Sequence, residues 1–162
     1  MCDRYKGRIL VIDDQVPFRS RGSGLPRAHE VVHAIHAQRW FITLFPLQHP
    51  GDLWSDIYNC VQRDVEAMTD HGHYGLENFV RERTGYYDIV LVSRPHNMKR
   101  VREVLHTVPK FLAKTRLVYD AEALFAPREA CPSNTKGRLL MRPVVIAIFS
   151  TRLRTVLHWC LR

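Results

Sequence analysis

Short apolar runs alternate with helix-period segments along this chain as far as residue 120, and that alternation restricts the fold more than any other feature. RILVI (8–12) is a continuous apolar run that stops at Asp13-Asp14. Runs of this kind suit strands buried on both faces, as in parallel sheets. A loop, QVPFRSRGSG, leads into a helical pattern with Leu25, Ala28, Val31, Val32 and Ile35 on one face. FITLF (41–45) predicts a second strand, followed by a Pro/Gly loop and a short helix over 52–58. DVEAMT (64–69) reads as a weaker third strand, and a helix is expected over 75–83. YYDIVLVS (86–93) is a fourth strand, PHNMKRVREVLHTV (95–108) a helix with Pro95 in its first turn, and RLVYD (116–120) a fifth strand. This order predicts a single Rossmann-like, doubly wound α/β domain: a parallel sheet of about five strands with helices on both faces.

A chain of 162 residues with 46% apolar content can bury a core of that kind. The start, MCDRYKGR, has no apolar stretch behind a basic one, so no signal peptide is expected. The apolar run VVIAIF (144–149) is far short of a bilayer span. Cys2, Cys60, Cys131 and Cys160 form no C-x-x-C pair, which favours reduced thiols and a cytoplasmic setting. The net charge of +8 is unevenly placed. No acid follows Glu129, while Lys136, Arg138, Arg142, Arg152, Arg154 and Arg162 do. Without those six the balance is 18 basic against 16 acidic residues. The basic residues of that part are interleaved with acids, so no nucleic-acid partner is expected.

In doubly wound sheets, ligands sit beyond the carboxyl ends of the strands. The polar groups at those ends are Asp13 and Asp14, the Gly22-Ser23-Gly24 turn, Ser93-Arg94-Pro95-His96-Asn97, and Asp120 with Glu122. The glycine turn opens the first helix, with Arg27 in its first turn; backbone N–H groups there suit a phosphate or carboxylate. It is not the dinucleotide fingerprint G-x-G-x-x-G, because Arg27 stands where the third glycine belongs and Gly22 comes ten positions after Ile12, the end of the strand. A plain turn capped by Ser23 explains it equally well. Arg94, His96 and Asn97 offer donors to a phosphate or to sugar hydroxyls. Asp120 and Glu122 offer carboxylates that accept sugar hydroxyls or act as a base.

Two other spellings compete. HEVVH (29–33) matches the zinc-protease pattern, with His29 and His33 one helical turn apart and Glu30 as a base. Pro26 and Arg27 precede it, His36 and Arg39 stand where a metzincin carries Gly and His, and no third ligand is evident. These histidines are therefore expected at the edge of the helix's apolar stripe, with no metal bound. HGH (71–73) is expected in a solvent-facing loop. The Asp13-Asp14 pair resembles the magnesium-holding pair of response-regulator receiver domains, but Ser93 occupies the place of the phosphoacceptor aspartate. A receiver-like or other small-ligand module stays the alternative, with a zinc metallopeptidase behind it.

RILVIDDQVP…GSGLPRA, FITLFPL, YYDIVLVSRPHNM and RLVYDAEALFAPREA together resemble the N-terminal half of bacterial GT-B glycosyltransferases, nearest to family-4-like enzymes of surface-polysaccharide synthesis. The resemblance covers about residues 7–130, and SRPHNM and YDAEALF are its more specific parts. It implies two Rossmann-like domains facing a cleft, and transfer of a sugar from a nucleotide-sugar donor to a saccharide or lipid-linked acceptor, usually without a metal. The N-terminal half holds the acceptor; the C-terminal half binds the nucleotide sugar. By the same resemblance Gly22, Ser23, Gly24, Arg27, Arg94, His96 and Asn97 face the cleft as substrate-binding residues, and Asp120 and Glu122 as catalytic ones. The chain lacks the donor domain and the family's E-x7-E motif, since only six residues separate Glu122 from Glu129. A domain over 1–130, little transferase activity, no cofactor bound by this chain alone, and a truncation or frameshift tail over 131–162 are the matching expectations. The rival expectation for that tail is a basic amphipathic end touching anionic lipid at the inner membrane face.

Overall fold

The computed structural model describes residues 4–22, 24–48 and 52–121, and the backbone of 146–149. Five parallel strands form the sheet: β1 (Gly7–Asp13), β2 (Trp40–Pro46), β3 (Glu66–Ala67), β4 (Ile89–Ser93) and β5 (Arg116–Asp120). A sixth strand, β6 (Ile146–Phe149), adds antiparallel to the outer side of β5. The order is β3-β2-β1-β4-β5-β6. This is a Rossmann-like α/β fold with its crossover switch between β1 and β4. Having β3 outside β2 sets it apart from the 2-1-3-4-5 order of receiver sheets.

Among the described residues, four α-helices flank the sheet, α1 (Leu25–Ala37), α2 (Trp54–Cys60), α3 (Gly72–Glu82) and α4 (Pro95–Thr107), with a short 3-10 helix over Pro109–Leu112. The continuous apolar runs are explained by two cores, because successive strand residues point to opposite faces. Leu10, Ile12, Val90 and Val92 enter one core with Leu76, Phe79 and Val80 of α3 and Met98, Val101 and Val104 of α4. Ile9, Val11, Ile42, Leu44 and Leu91 enter the other with Val32 of α1 and Ile57 of α2. The loop after β1 is pinned into this second core by Val16 and Phe18, so the residues it carries are held rather than loose.

Three expectations need correction, the simplest being the fourth strand, which begins at Ile89 and not at residue 86. The third strand shrinks from 64–69 to Glu66–Ala67, because among the described residues β3 pairs with β2 alone and Asp64 is bound elsewhere, by Tyr5 and His36. HGH is not a loop: α3 begins at Gly72, with His71 at its N-cap. Gly72 is buried with a φ of 54°, which glycine adopts at little cost, and the His73 N–H donates to the Leu47 carbonyl at 3.0 Å. The glycine thus serves the helix entry. Both histidines remain exposed, as expected.

Candidate functional site

Register brings the strand tips into one row. Asp13 lies opposite Pro46 on β2, Ile12 opposite Val92, and Ser93 opposite Asp120. Backbone bonds continue the pairing past the last side chains: Leu47 N–H to Asp13 O at 2.9 Å, Gln48 N–H to Asp14 O at 2.7 Å, and Arg94 N–H to Asp120 O at 2.9 Å. The rim is therefore a stiff platform rather than a set of free loops.

Asp13, Asp14, Ser93, Asn97 and Asp120 are all buried on this platform. Buried carboxylates need charge and hydrogen-bond partners. Arg94 supplies the charge, with its Nε 2.9 Å from Asp13 Oδ1 and 3.3 Å from Asp14 Oδ2. Burial pushes the Asp13 carboxyl pKa above its ordinary value, against the Asp14 backbone N–H and Arg94, which pull it down. Asp14 Oδ1 gathers three side-chain nitrogens: His96 Nε2 at 2.6 Å, Asn97 Nδ2 at 2.8 Å and Gln48 Nε2 at 2.9 Å. Asn97 also donates to the Ser93 carbonyl at 3.0 Å, which fixes its amide at the start of α4. His96, its side chain 55% exposed, and Gln48 are the accessible members.

Arg94 reaches both acids from an unusual backbone. It caps α4 at φ 75° and ψ 144°, a region close to glycine's preserve. Its side chain is held between two carboxylates, and that pairing offsets the strain.

On the other side of the switch, Arg27 in the first turn of α1 makes a two-pronged bond to Asp120 at the end of β5, Nη1 to Oδ2 at 2.7 Å and Nη2 to Oδ1 at 3.1 Å. Asp120 also lines a cavity of about 20 Å³, together with Val11, Asp13, Ala28 and Ser93. It has room for about one water.

The predicted site residues thus divide. Arg27, Arg94, His96, Asn97 and Asp120 share one rim. Gly24 joins them as the cap of α1, with a φ of 85° that favours glycine. Gly22 is exposed, and a side chain there would meet nothing within 4 Å. Ser23 and Glu122 lie outside the described residues. Gln48 was missed, although it sits just past the second strand, where the rule that singled out the other strand tips would have found it.

The HEVVH histidines serve another contact. His29 and His33 both turn Nε2 to the Cys60 carbonyl, at 3.0 and 3.3 Å, and their rings lie 4.1 Å apart. His36 binds Asp64 at 2.9 Å instead. They tie α1 to the end of α2, at the helix edge. Among the described residues no group of three or more His, Cys, Asp and Glu is placed to hold a metal ion, and no helix is long and apolar enough to cross a membrane. No protein-family model matches the chain, and no curated protein is significantly similar to it.

Proposed function

We propose that this chain is the acceptor-side Rossmann-like domain of a nucleotide-sugar glycosyltransferase, binding a saccharide or lipid-linked saccharide at the β1/β4 switch. The observation that carries the reading is the convergence there of Asp14, Gln48, His96 and Asn97 with the Arg27–Asp120 pair. Carboxylates, amides, an imidazole and a guanidinium on a rigid rim suit vicinal hydroxyls, which both donate and accept. Asp120 is the candidate base of that rim, but both of its oxygens accept from Arg27 as it stands. Transfer by this domain alone is therefore expected to be slight, since donor and acceptor have to be held together in a closed cleft.

The test is titration of the full chain with oligosaccharides and a detergent-solubilised lipid-linked saccharide, followed by backbone amide NMR. Shifts confined to Asp14, Gln48, Arg94, His96 and Asn97, and weakened in His96→Ala, support the reading. Absence of binding by every saccharide, or shifts centred away from the rim, overturns it.

A further inference from the structure

We infer that the Arg27–Asp120 ion pair is a gate across the switch crevice, in which the Asp120 carboxylate occupies the place that a phosphate group of a ligand takes on Arg27. The inference rests on reading this rim as a ligand site, and it concerns how that site opens and what class of group opens it.

The pair joins residues 93 apart in sequence. Arg27 comes from the helix that follows β1, Asp120 from the tip of β5, and β4 lies between those two strands. The guanidinium therefore spans the point where ligands of doubly wound sheets enter. Asp120 also lines a cavity, with Asp13 and Ser93, that at about 20 Å³ has room for about one water.

The two partners are unequally accessible. The Asp120 side chain is 6% exposed and the Arg27 side chain 34%. An incoming group consequently meets the guanidinium first. A guanidinium fork fits two oxygens of a phosphate as it fits two of a carboxylate, so a phosphate can take over both Arg27 bonds. The closed pair then acts as an internal competitor, and observed affinity is the intrinsic affinity reduced by the fraction of open molecules.

The experiment uses inorganic pyrophosphate as the probe, titrated by calorimetry at low salt into the wild-type chain and three variants. Asp120→Asn keeps the shape of the side chain and removes the competing charge; its affinity is expected to rise about tenfold or more. Arg27→Gln is expected to lose binding, and the double variant to lose the gain. Equal affinity in wild type and Asp120→Asn overturns the gate, and so does a gain that survives in the double variant. Melting curves show whether Asp120→Asn folds. Should it not fold, the side-chain Nε resonance of Arg27 in the wild-type chain decides: movement on addition of pyrophosphate supports the gate, and an unmoved resonance overturns it. The outcomes are separable from those of the saccharide titration. A pyrophosphate gain without saccharide binding keeps the gate and removes the acceptor reading, whereas saccharide binding without the gain removes the gate alone.

Discussion

Arg94 concentrates the site's physics in one residue. Its positive φ of 75° costs a non-glycine residue about 1–3 kcal/mol, and its side chain answers two buried carboxylates at 2.9 and 3.3 Å. Arg94→Ala keeps the strain and leaves the acids without that charge, so it is expected to destabilise by about 3 kcal/mol. Arg94→Gly loses the same charge but relieves the backbone. It is expected to be more stable than Arg94→Ala by about 1 kcal/mol in urea unfolding; equal midpoints would mean that the backbone there carries no strain. A pH effect belongs to Asp64. Burial raises its pKa, but hydrogen bonds from Tyr5 and His36 outweigh that and hold the carboxyl below its ordinary 3.8. The charged form is thus favoured by folding. The stability it contributes is present above pH 3.8 and is lost as pH falls through the lower folded value. Wild type and Asp64→Asn should therefore converge in stability as pH drops below about 4, a trend that melts at several pH values would reveal. Most of the rim was legible because strand tips can be counted from apolar runs: Asp13, Arg94, His96, Asn97 and Asp120 all follow from that. The Arg27–Asp120 partnership was not legible, because side-chain pairing across 93 positions depends on strand order, which no local pattern encodes.

At the scale of elements, period and punctuation sufficed where an element packs on both its neighbours and failed where it sits at an edge. α1 and α4 were foreseen to within a residue or two because Pro and the apolar stripe mark their limits. β3 and the start of α3 were misjudged because a two-residue edge strand and a buried positive-φ glycine are decided by tertiary contacts. α2 illustrates the same dependence. Seven residues are too few for a helix to persist in water by itself, so packing has to hold it. Ile57, fully buried in the α1-side core, is its anchor, and its neighbours Leu53 and Trp54 are exposed. Ile57→Ala is expected to cost about 3 kcal/mol in a urea titration. It should also release the Cys60 carbonyl from His29 and His33, seen as changed imidazole resonances of both histidines. A loss of stability with those two signals unmoved would show that α2 is held by something other than Ile57.

Over the whole molecule, the consequence of the topology is a sheet whose two cores are closed by helices but whose outer side at β5 depends on β6. All four residues of β6 pair with β5, from Asp120 opposite Ile146 to Leu117 opposite Phe149. The pairing falls inside the acid-free stretch after Glu129, so those residues contribute an edge strand whatever else they do. Without β6, β5 would present a row of unsatisfied N–H and C=O groups carrying Leu117, Val118 and Tyr119, the kind of edge on which another chain adds. A shortened chain ending at residue 130 is therefore expected to self-associate with rising concentration, detected as a growing sedimentation coefficient, while the full chain keeps a constant one. Introducing Val118→Lys into the shortened chain should reverse the association, since a charged residue on an edge strand opposes strand addition. The rival account of 131–162, contact with anionic lipid, leads to a different pattern. If lipid contact were its main contribution, the shortened chain would remain monomeric at all concentrations and would lose binding to anionic vesicles. Association that Val118→Lys abolishes, with vesicle binding unchanged between the two chain lengths, would assign the segment to the sheet.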